Sequence, residues 1–321
     1  MFNQIGLKLS RQTMANWMIK LHDEYFKRMT DYMHKTLLQS EYLHADETTN
    51  QVLNVPDQKP TTKSYMWVYK TGRSEDKQIV HFIYENTRGH EHAKKHLEGY
   101  HNILQTDGYQ AYDKLDDIRH MGCWAHCRRK YLEALDGAPS DTDLKGTASY
   151  RLLHKINKLF TLEKKLKGKS YEEIKDTRQK EAKPIIDDFF KDVKECAKVA
   201  VEKTKLSQAL TYSINQEENL RLYLEEGRIE ISNNRAENSI RPFCVGRRNW
   251  LFSNTVKGAE ASAAIYSLLE TAKLNNLKPY DYFEYLLTAL TEIDINDDKE
   301  LEKIMPWSKS LPENIYLTKK S

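Results

Sequence analysis

Three acidic residues, far apart in the chain, have the side chains that phosphoryl transfer needs. Asp46 lies in His44-Ala45-Asp46-Glu47-Thr48, Asp107 in Gln105-Thr106-Asp107-Gly108-Tyr109, and Glu237 in Asn233-Asn234-Arg235-Ala236-Glu237-Asn238-Ser239-Ile240-Arg241-Pro242. Asp46 and Asp107 each end or interrupt an apolar, strand-like stretch, and Glu237 sits near the start of a helical one. Two aspartates on strands and a glutamate on a helix could hold a pair of hard divalent cations, because such ions prefer oxygen ligands. A pair of this kind clamps the attacking and leaving oxygens of an in-line displacement at phosphorus, the core of nucleic-acid strand transfer. Each residue alone has a plainer reading. Asp107-Gly108 is a common turn, Glu237 suits a capping box, and Asp46 could be a surface aspartate. The combination carries the argument.

The elements that must position these side chains read as follows. Residues 1–42 are helical, with Ser10 as the N-cap of an amphipathic stretch through Met14, Trp17, Met18 and Leu21. That stretch reads as the second helix of a helix-turn-helix with Ile5-Gly6-Leu7 as the turn, or else as an ordinary core helix. From Tyr42 the periodicity becomes extended, and strands are predicted over 43–53, 64–71 and 78–86, with Gly72-Arg73-Ser74 turning between the last two. A helix over 88–99 closed by Gly99, a short strand over 102–106, a strand over 118–124 and a helix over 125–135 follow. The predicted class is α/β: an RNase H-like mixed sheet in which the first strand lies beside the strand after the first helix, which would bring Asp46 and Asp107 together. By the alternation of a strand, Glu47 faces away from Asp46, and Asp113 falls on exposed helix or loop.

Residues 140–226 are rich in Lys, Glu and Leu at helical spacing and predict an all-helical insertion. The expected divisions are thus 1–42, a helical segment; 43–139, the first part of a catalytic domain; 140–226, the insertion; 227–293, its second part with the glutamate helix; and 294–321, a C-terminal segment. After the glutamate helix an extended basic strip is expected over Gly246-Arg247-Arg248-Asn249-Trp250-Leu251-Phe252, then a helix from Gly258 to Asn275 whose Ala261 and Ala264 suit close packing on a sheet.

Bulk composition argues for no partner: 50 Lys and Arg stand against 47 Asp and Glu, a net charge of +3, so a nucleic-acid surface must come from local patches. Two such patches are Arg128-Arg129-Lys130 beside Trp124 and Tyr131, and Arg247-Arg248 beside Trp250 and Phe252. Arginine forks and aromatic faces suit phosphate contacts and base stacking. Four cysteines give no disulfide framework, and no apolar run is long enough for a membrane span, so a cytoplasmic protein is expected. Cys123, His126 and Cys127, with His120, could be zinc ligands, but the cluster is compact and lacks a second spaced pair. A buried cysteine pair with a histidine facing the cleft is the better reading.

These motifs together resemble the transposases of the IS66 family of bacterial insertion sequences over essentially the whole chain. The matching segments are those around Asp46, Asp107 and Glu237, together with Gly122-Cys123-Trp124-Ala125-His126-Cys127-Arg128-Arg129-Lys130, the strip from Gly246 to Phe252, and Ile265 to Lys273. The resemblance implies a metal-dependent DDE transposase that cuts and joins DNA, with Asp46, Asp107 and Glu237 as the catalytic, metal-holding triad and Mg2+ or Mn2+ as cofactor. It implies double-stranded DNA as partner, both element ends and target, with His126, Arg128, Arg129, Arg241, Arg247, Arg248 and Trp250 on the DNA-facing surface. It further implies a homo-oligomer on DNA, accessory proteins of the element, a nucleoid-associated location when DNA is bound, and an N-terminally truncated chain, since the family carries a full helix-turn-helix ahead of this core. Two rival functions are a DNA-binding transposase fragment that regulates without cutting, and a host nuclease of the same fold acting on RNA–DNA hybrids or junctions.

Overall fold

The structure, a computed structural model, describes residues 6–318 apart from Asp113, Asp116, Asp141 and Thr142. Asp113 and Ile5 of the expected turn therefore lie outside the described residues. The first half of the chain forms α1 (Arg11–Leu21), α2 (Lys27–Leu37), β1 (Tyr42–Asn54), β2 (Lys63–Thr71), β3 (Val80–Glu85), α3 (His90–His96), β4 (Ile103–Gln105), β5 (Arg119–Met121), α4 (Trp124–Asp136) and α5 (Ala148–Lys165). There follow α6 (Tyr171–Thr177), α7 (Lys183–Ala197), α8 (Lys205–Asn215), α9 (Glu217–Arg221), α10 (Asn234–Trp250), β6 (Ser253–Thr255), α11 (Val256–Leu274), α12 (Pro279–Ala289) and α13 (Asp298–Ile304). Two compact units result: Met1–Tyr100 with Ala236–Ser321, and His101–Arg235. The class is mixed α/β with many helices.

In the first unit β2 runs antiparallel to both β1 and β3, and the short β6 pairs parallel with the end of β1, so the sheet is mixed. Val52, Met66, Val68, Val80 and Phe82 turn one face towards Ala236, Ile240 and Phe243 of α10 and Ala259 and Ala263 of α11, forming one buried cluster. The outer edge of β3 would expose unpaired backbone groups, a hazard for any edge strand. Hydroxyls and an amide at every fourth residue of α11 satisfy them. The Val80 N–H donates to Thr271 Oγ1 at 3.0 Å, and that hydroxyl donates to the Val80 carbonyl. The Phe82 N–H donates to Ser267 Oγ at 2.8 Å, and Asn275 Nδ2 to the Gln78 carbonyl at 2.8 Å. Ser10 caps α1 as the sequence predicts, its hydroxyl accepting from the Thr13 N–H at 3.0 Å. The C-terminal segment docks on α2, where Glu302 accepts from the Tyr32 hydroxyl and the Trp307 indole.

On the other face of the sheet the buried imidazole of His81 stacks on the half-buried one of His34 with centroids 5.1 Å apart, and His34 Nε2 donates to the His96 carbonyl. Burial depresses both pKa values below the ordinary 6.5, most strongly that of His81.

The second unit pairs β4 with β5 in parallel and is otherwise helical: from α5 to α9 there is no strand among the described residues. Trp124, Tyr131, Phe189 and Phe190 form its aromatic centre, with Trp124 and Phe189 edge to face at 5.5 Å. Its most connected side chain is Arg178, only 2% exposed. The guanidinium grips Glu163 with two bonds of 2.9 Å, donates to the carbonyls of Tyr223, Glu226 and Ile229, and lies over the Tyr223 ring at 4.1 Å.

Two outcomes follow. Folded His34 and His81 stay neutral while the unfolded chain takes up protons near 6.5, so stability is full above that value and is lost as pH falls below it. The melting temperature should drop between about pH 7 and about pH 5, and His81→Gln should flatten the drop; an unchanged slope would refute this origin. Arg178→Met leaves the carboxylate of Glu163 without its cation, with only the Tyr223 hydroxyl among the described residues still donating to it, and takes a donor from three carbonyls, so urea unfolding of the second unit should show a loss of about 3–5 kcal/mol.

Candidate active site

Asp46 and Glu237 both belong to the first unit, one on β1 and the other on the helix that packs over the sheet. Asp46, half-buried on β1, is paired across the ladder with Val68, and alternation sets it on the same face as Thr48 and Val52. Its Oδ1 accepts the Glu47 N–H at 2.9 Å. That face is covered by α10: Val52 packs in the cluster with Ile240 and Phe243, and the Thr48 hydroxyl meets Cys244 Sγ at 3.5 Å and Arg247 Nη1 at 3.1 Å. Glu237 stands in the first turn of α10, next to fully buried Ala236, and its Oε1 is shut off from solvent. Glu47 turns the other way, its carboxylate buried and held by Arg88 through a bond of 2.8 Å from Nε. The acidic neighbour is thus committed to a structural pair.

A third charged group shares this face, and sequence reasoning missed it. Lys70, 6% exposed on β2, follows Met66 and Val68 on the inward side and donates to Ser239 Oγ of α10 at 2.7 Å. A lysine at an inward position of an otherwise apolar strand was the available signal. A buried ammonium beside two carboxylate-bearing elements offsets part of their charge.

Asp107 belongs to the second unit, at the end of β4, in a turn fixed by backbone bonds. Its Oδ1 accepts the Tyr109 N–H at 2.9 Å, its carbonyl accepts the Tyr212 hydroxyl at 2.9 Å, and Thr106 Oγ1 accepts the Gly108 N–H at 3.2 Å. Gly108 has φ of +87°, and a Cβ there would meet Tyr212 and Gln216 at 3.2 and 3.1 Å. Glycine is therefore required by conformation and by space. Within either unit, no three His, Cys, Asp or Glu side chains among the described residues gather into a metal-holding group. The donor chemistry of Asp46, Asp107 and Glu237 is nonetheless all oxygen, which fits Mg2+ or Mn2+ and not a soft metal.

In the same unit Cys123 and Cys127 are fully buried. Cys123 Sγ accepts the Asn233 N–H at 3.2 Å, and burial pushes the Cys127 thiol up to about 12, so both act as packing groups. His126 and Arg128 are half-buried on α4; Arg128 Nε donates to Asn157 of α5 at 2.7 Å, which ties two helices together. Arg129 is exposed.

The basic segment before β6 departs from expectation. Residues 246–250 are not an extended strip but the last turn of α10, which continues through Pro242. A proline inside a helix costs about 3 kcal/mol. Burial of Ala236, Ile240 and Phe243 offsets that cost, and Gly246 allows the Tyr266 hydroxyl to approach the helix, where Trp250 also bonds to it. Trp250 stacks edge to face on Phe243 at 5.3 Å and is mainly a packing residue. Arg241 and Arg248 are exposed, and Arg247 is held by the hydroxyls of Thr48 and Thr49. Leu251 and Phe252, the end of the expected strip, follow the helix as exposed apolar side chains, Phe252 being one of the aromatics expected beside Arg247 and Arg248.

No helix among the described residues is long and apolar enough to cross a membrane. No solved structure matches the chain. Among curated proteins it is 32% identical over 318 residues to the uncharacterized protein y4qI of Sinorhizobium fredii (strain NBRC 101917 / NGR234), covering 94% of this chain and 57% of that protein. The uncharacterized protein y4hP of the same strain is 26% identical over 320 residues, covering 94% and 56%. The chain thus spans little more than half the length of these relatives. The family described as Transposase IS66 family matches residues 1–261, and that described as IS66 C-terminal element matches residues 267–307. On that coverage, the chain belongs to the IS66 transposase family.

Proposed function

We propose that the chain is a DDE transposase that cuts and joins DNA with a divalent cation held by Asp46, Asp107 and Glu237. The observation that carries this reading is a half-buried aspartate on β1 and a glutamate in the first turn of α10, the helix that packs over that sheet, in a member of a transposase family. The order of three meandering strands, a helix, then two more strands and a helix supports an RNase H-like catalytic fold. Mg2+ or Mn2+, when bound, would polarise the scissile phosphodiester and make water a better nucleophile. The three carboxylates would hold the ion and accept the proton that water loses. Attack on phosphorus breaks the bond to the 3′ oxygen and frees a 3′-hydroxyl, which then attacks target DNA in the same way. Lys70 limits the repulsion between the acidic groups and the incoming phosphate.

Double-stranded DNA would be held by cations outside the acidic face, with Arg129, Arg241 and Arg248 exposed for phosphate contacts. His126, Arg128, Arg247 and Trp250 would lie along the same path, each already anchored within its own unit or half-buried. Action on paired element ends implies a homo-oligomer on DNA, with accessory proteins of the element as further partners, in the bacterial cytoplasm.

Asp46→Asn, Asp107→Asn and Glu237→Gln should each abolish Mg2+-dependent nicking and strand transfer on supercoiled DNA while melting like the parent. Nicking that survives all three substitutions would remove the triad. Duplex binding by the intact chain without nicking would favour a regulatory fragment, and nicking without strand transfer a nuclease.

Reversal of Arg247 and Arg248 to Glu should weaken binding to all duplexes alike and lower the slope of log affinity against log salt by about 2. An unchanged slope would place these side chains outside the DNA path.

A further inference from the structure

Where α10 ends against β1, the first unit has a cavity of about 520 Å³ lined by Thr49, Asn50, Lys63, Arg247, Arg248 and Leu251, among others. Pockets for small organic ligands fall in this size range. Three features distinguish it from a solvated groove. First, Asn50 is 1% exposed, yet neither its Oδ1 nor its Nδ2 has a hydrogen-bond partner. A buried amide left without partners is costly, and such a group in a native fold calls for an explanation. Second, Lys63, Arg247 and Arg248 have no carboxylate partner among the described residues, and no acidic residue lines the cavity. Arg247 is oriented by Thr48 Oγ1 and Thr49 Oγ1 at 3.1 and 3.0 Å, which use only one of its nitrogens. Third, Leu251 adopts a left-handed φ of +63° and is 64% exposed, with Phe252 beside it 43% exposed. A leucine in that region of backbone space is strained, and strain of this kind collects at functional positions.

An unpartnered donor–acceptor amide, uncompensated cations and an exposed apolar side chain are complementary to one ligand class: a nucleotide with its base outside the stack. The phosphate would meet Arg248 and Lys63, and the base face would rest on Leu251. The edge would pair with Asn50, whose amide matches the donor and acceptor that adenine presents. We propose that this cavity receives one unstacked nucleotide of the DNA substrate. The inference rests on the DNA-binding reading above and adds a site to it. Apolar side chains flanked by arginine unstack bases in other DNA-binding proteins, and extruding a paired base carries an energetic cost that an unpaired one avoids.

The experiment compares a fully paired duplex with one of the same length carrying a single bulged adenine, by fluorescence anisotropy without divalent ions. The bulged duplex should bind about tenfold tighter or more, since its base is already unpaired. Asn50→Ala and Leu251→Gly should each erase that preference while leaving affinity for the paired duplex within about twofold; Arg248→Glu should weaken both duplexes equally. Leu251→Gly removes an exposed side chain at a positive φ and so keeps the fold intact even if Asn50→Ala does not. Equal binding of the two duplexes, or a preference that survives Leu251→Gly, overturns the cavity proposal while DNA binding stands. Failure to bind either duplex overturns both readings.

Discussion

The first unit depends on burying one narrow stripe of α10. Ala236, Ile240 and Phe243 are the helix's main apolar contribution to the sheet, and they lie against strands that precede them by some 150–190 positions in the chain. The chain leaves this unit at Tyr100 and returns at Ala236, so no local contact can hold β1 and α10 together. Side-chain packing does, with the Thr48 and Lys70 bonds to the same helix and the pairing of β6 with β1 just beyond it fixing its register. A buried phenylalanine is worth roughly 1.5–3 kcal/mol of transfer free energy, and truncating it costs more because a cavity remains. That helix carries Glu237 at its start and Arg247 and Arg248 at its end. The position of the acidic group and of the basic group is therefore set by the same few apolar contacts.

Polar groups finish what this packing begins. On α11 the residues that face the edge of β3 are a serine, a threonine and an asparagine four positions apart, and they stand in for the strand that is missing there. In the second unit Arg178 plays a comparable part, gathering carbonyls from the irregular stretch after α9 that has no ladder of its own. Both devices answer one constraint, that buried backbone groups must be paired. Both also fix a chain segment in place without enlarging the apolar core.

How much of this was legible in the sequence depended on the range of the interaction involved. β1, β2 and β3 announced themselves by alternation, Ser10 by its capping position, and the helices after α4 by their spacing, because each of those signals lies within a few residues. Glu47 could be set aside from strand alternation, and its pairing with Arg88 agrees. The continuation of α10 through Pro242 could not be read, because local propensity opposes it and only distant partners, Phe82 and Tyr266 among them, outweigh the proline. Lys70 and Asn50 were hidden for a related reason. A lysine or asparagine in a strand reads as a solvent-facing residue until the helix that covers it is known.

The distribution of charge explains why a net value of +3 says so little about partners. Several acidic groups of the first unit are taken up in pairs, such as Glu47 with Arg88 and Asp298 with Lys35, and these contribute little to the field at a distance. Lys63, Arg247 and Arg248 have no such partners among the described residues and form a local positive surface that the sum conceals. A polyanion responds to that local field within about 8–10 Å at physiological salt, not to the total. The same separation lets a carboxylate-bearing end of α10 exist a short distance from a basic one: the helix spaces the two by its length, about 1.5 Å per residue. Glu237 and Arg247 are ten residues apart on one rigid element, so the spacing between anion and cation is built in before any ligand arrives.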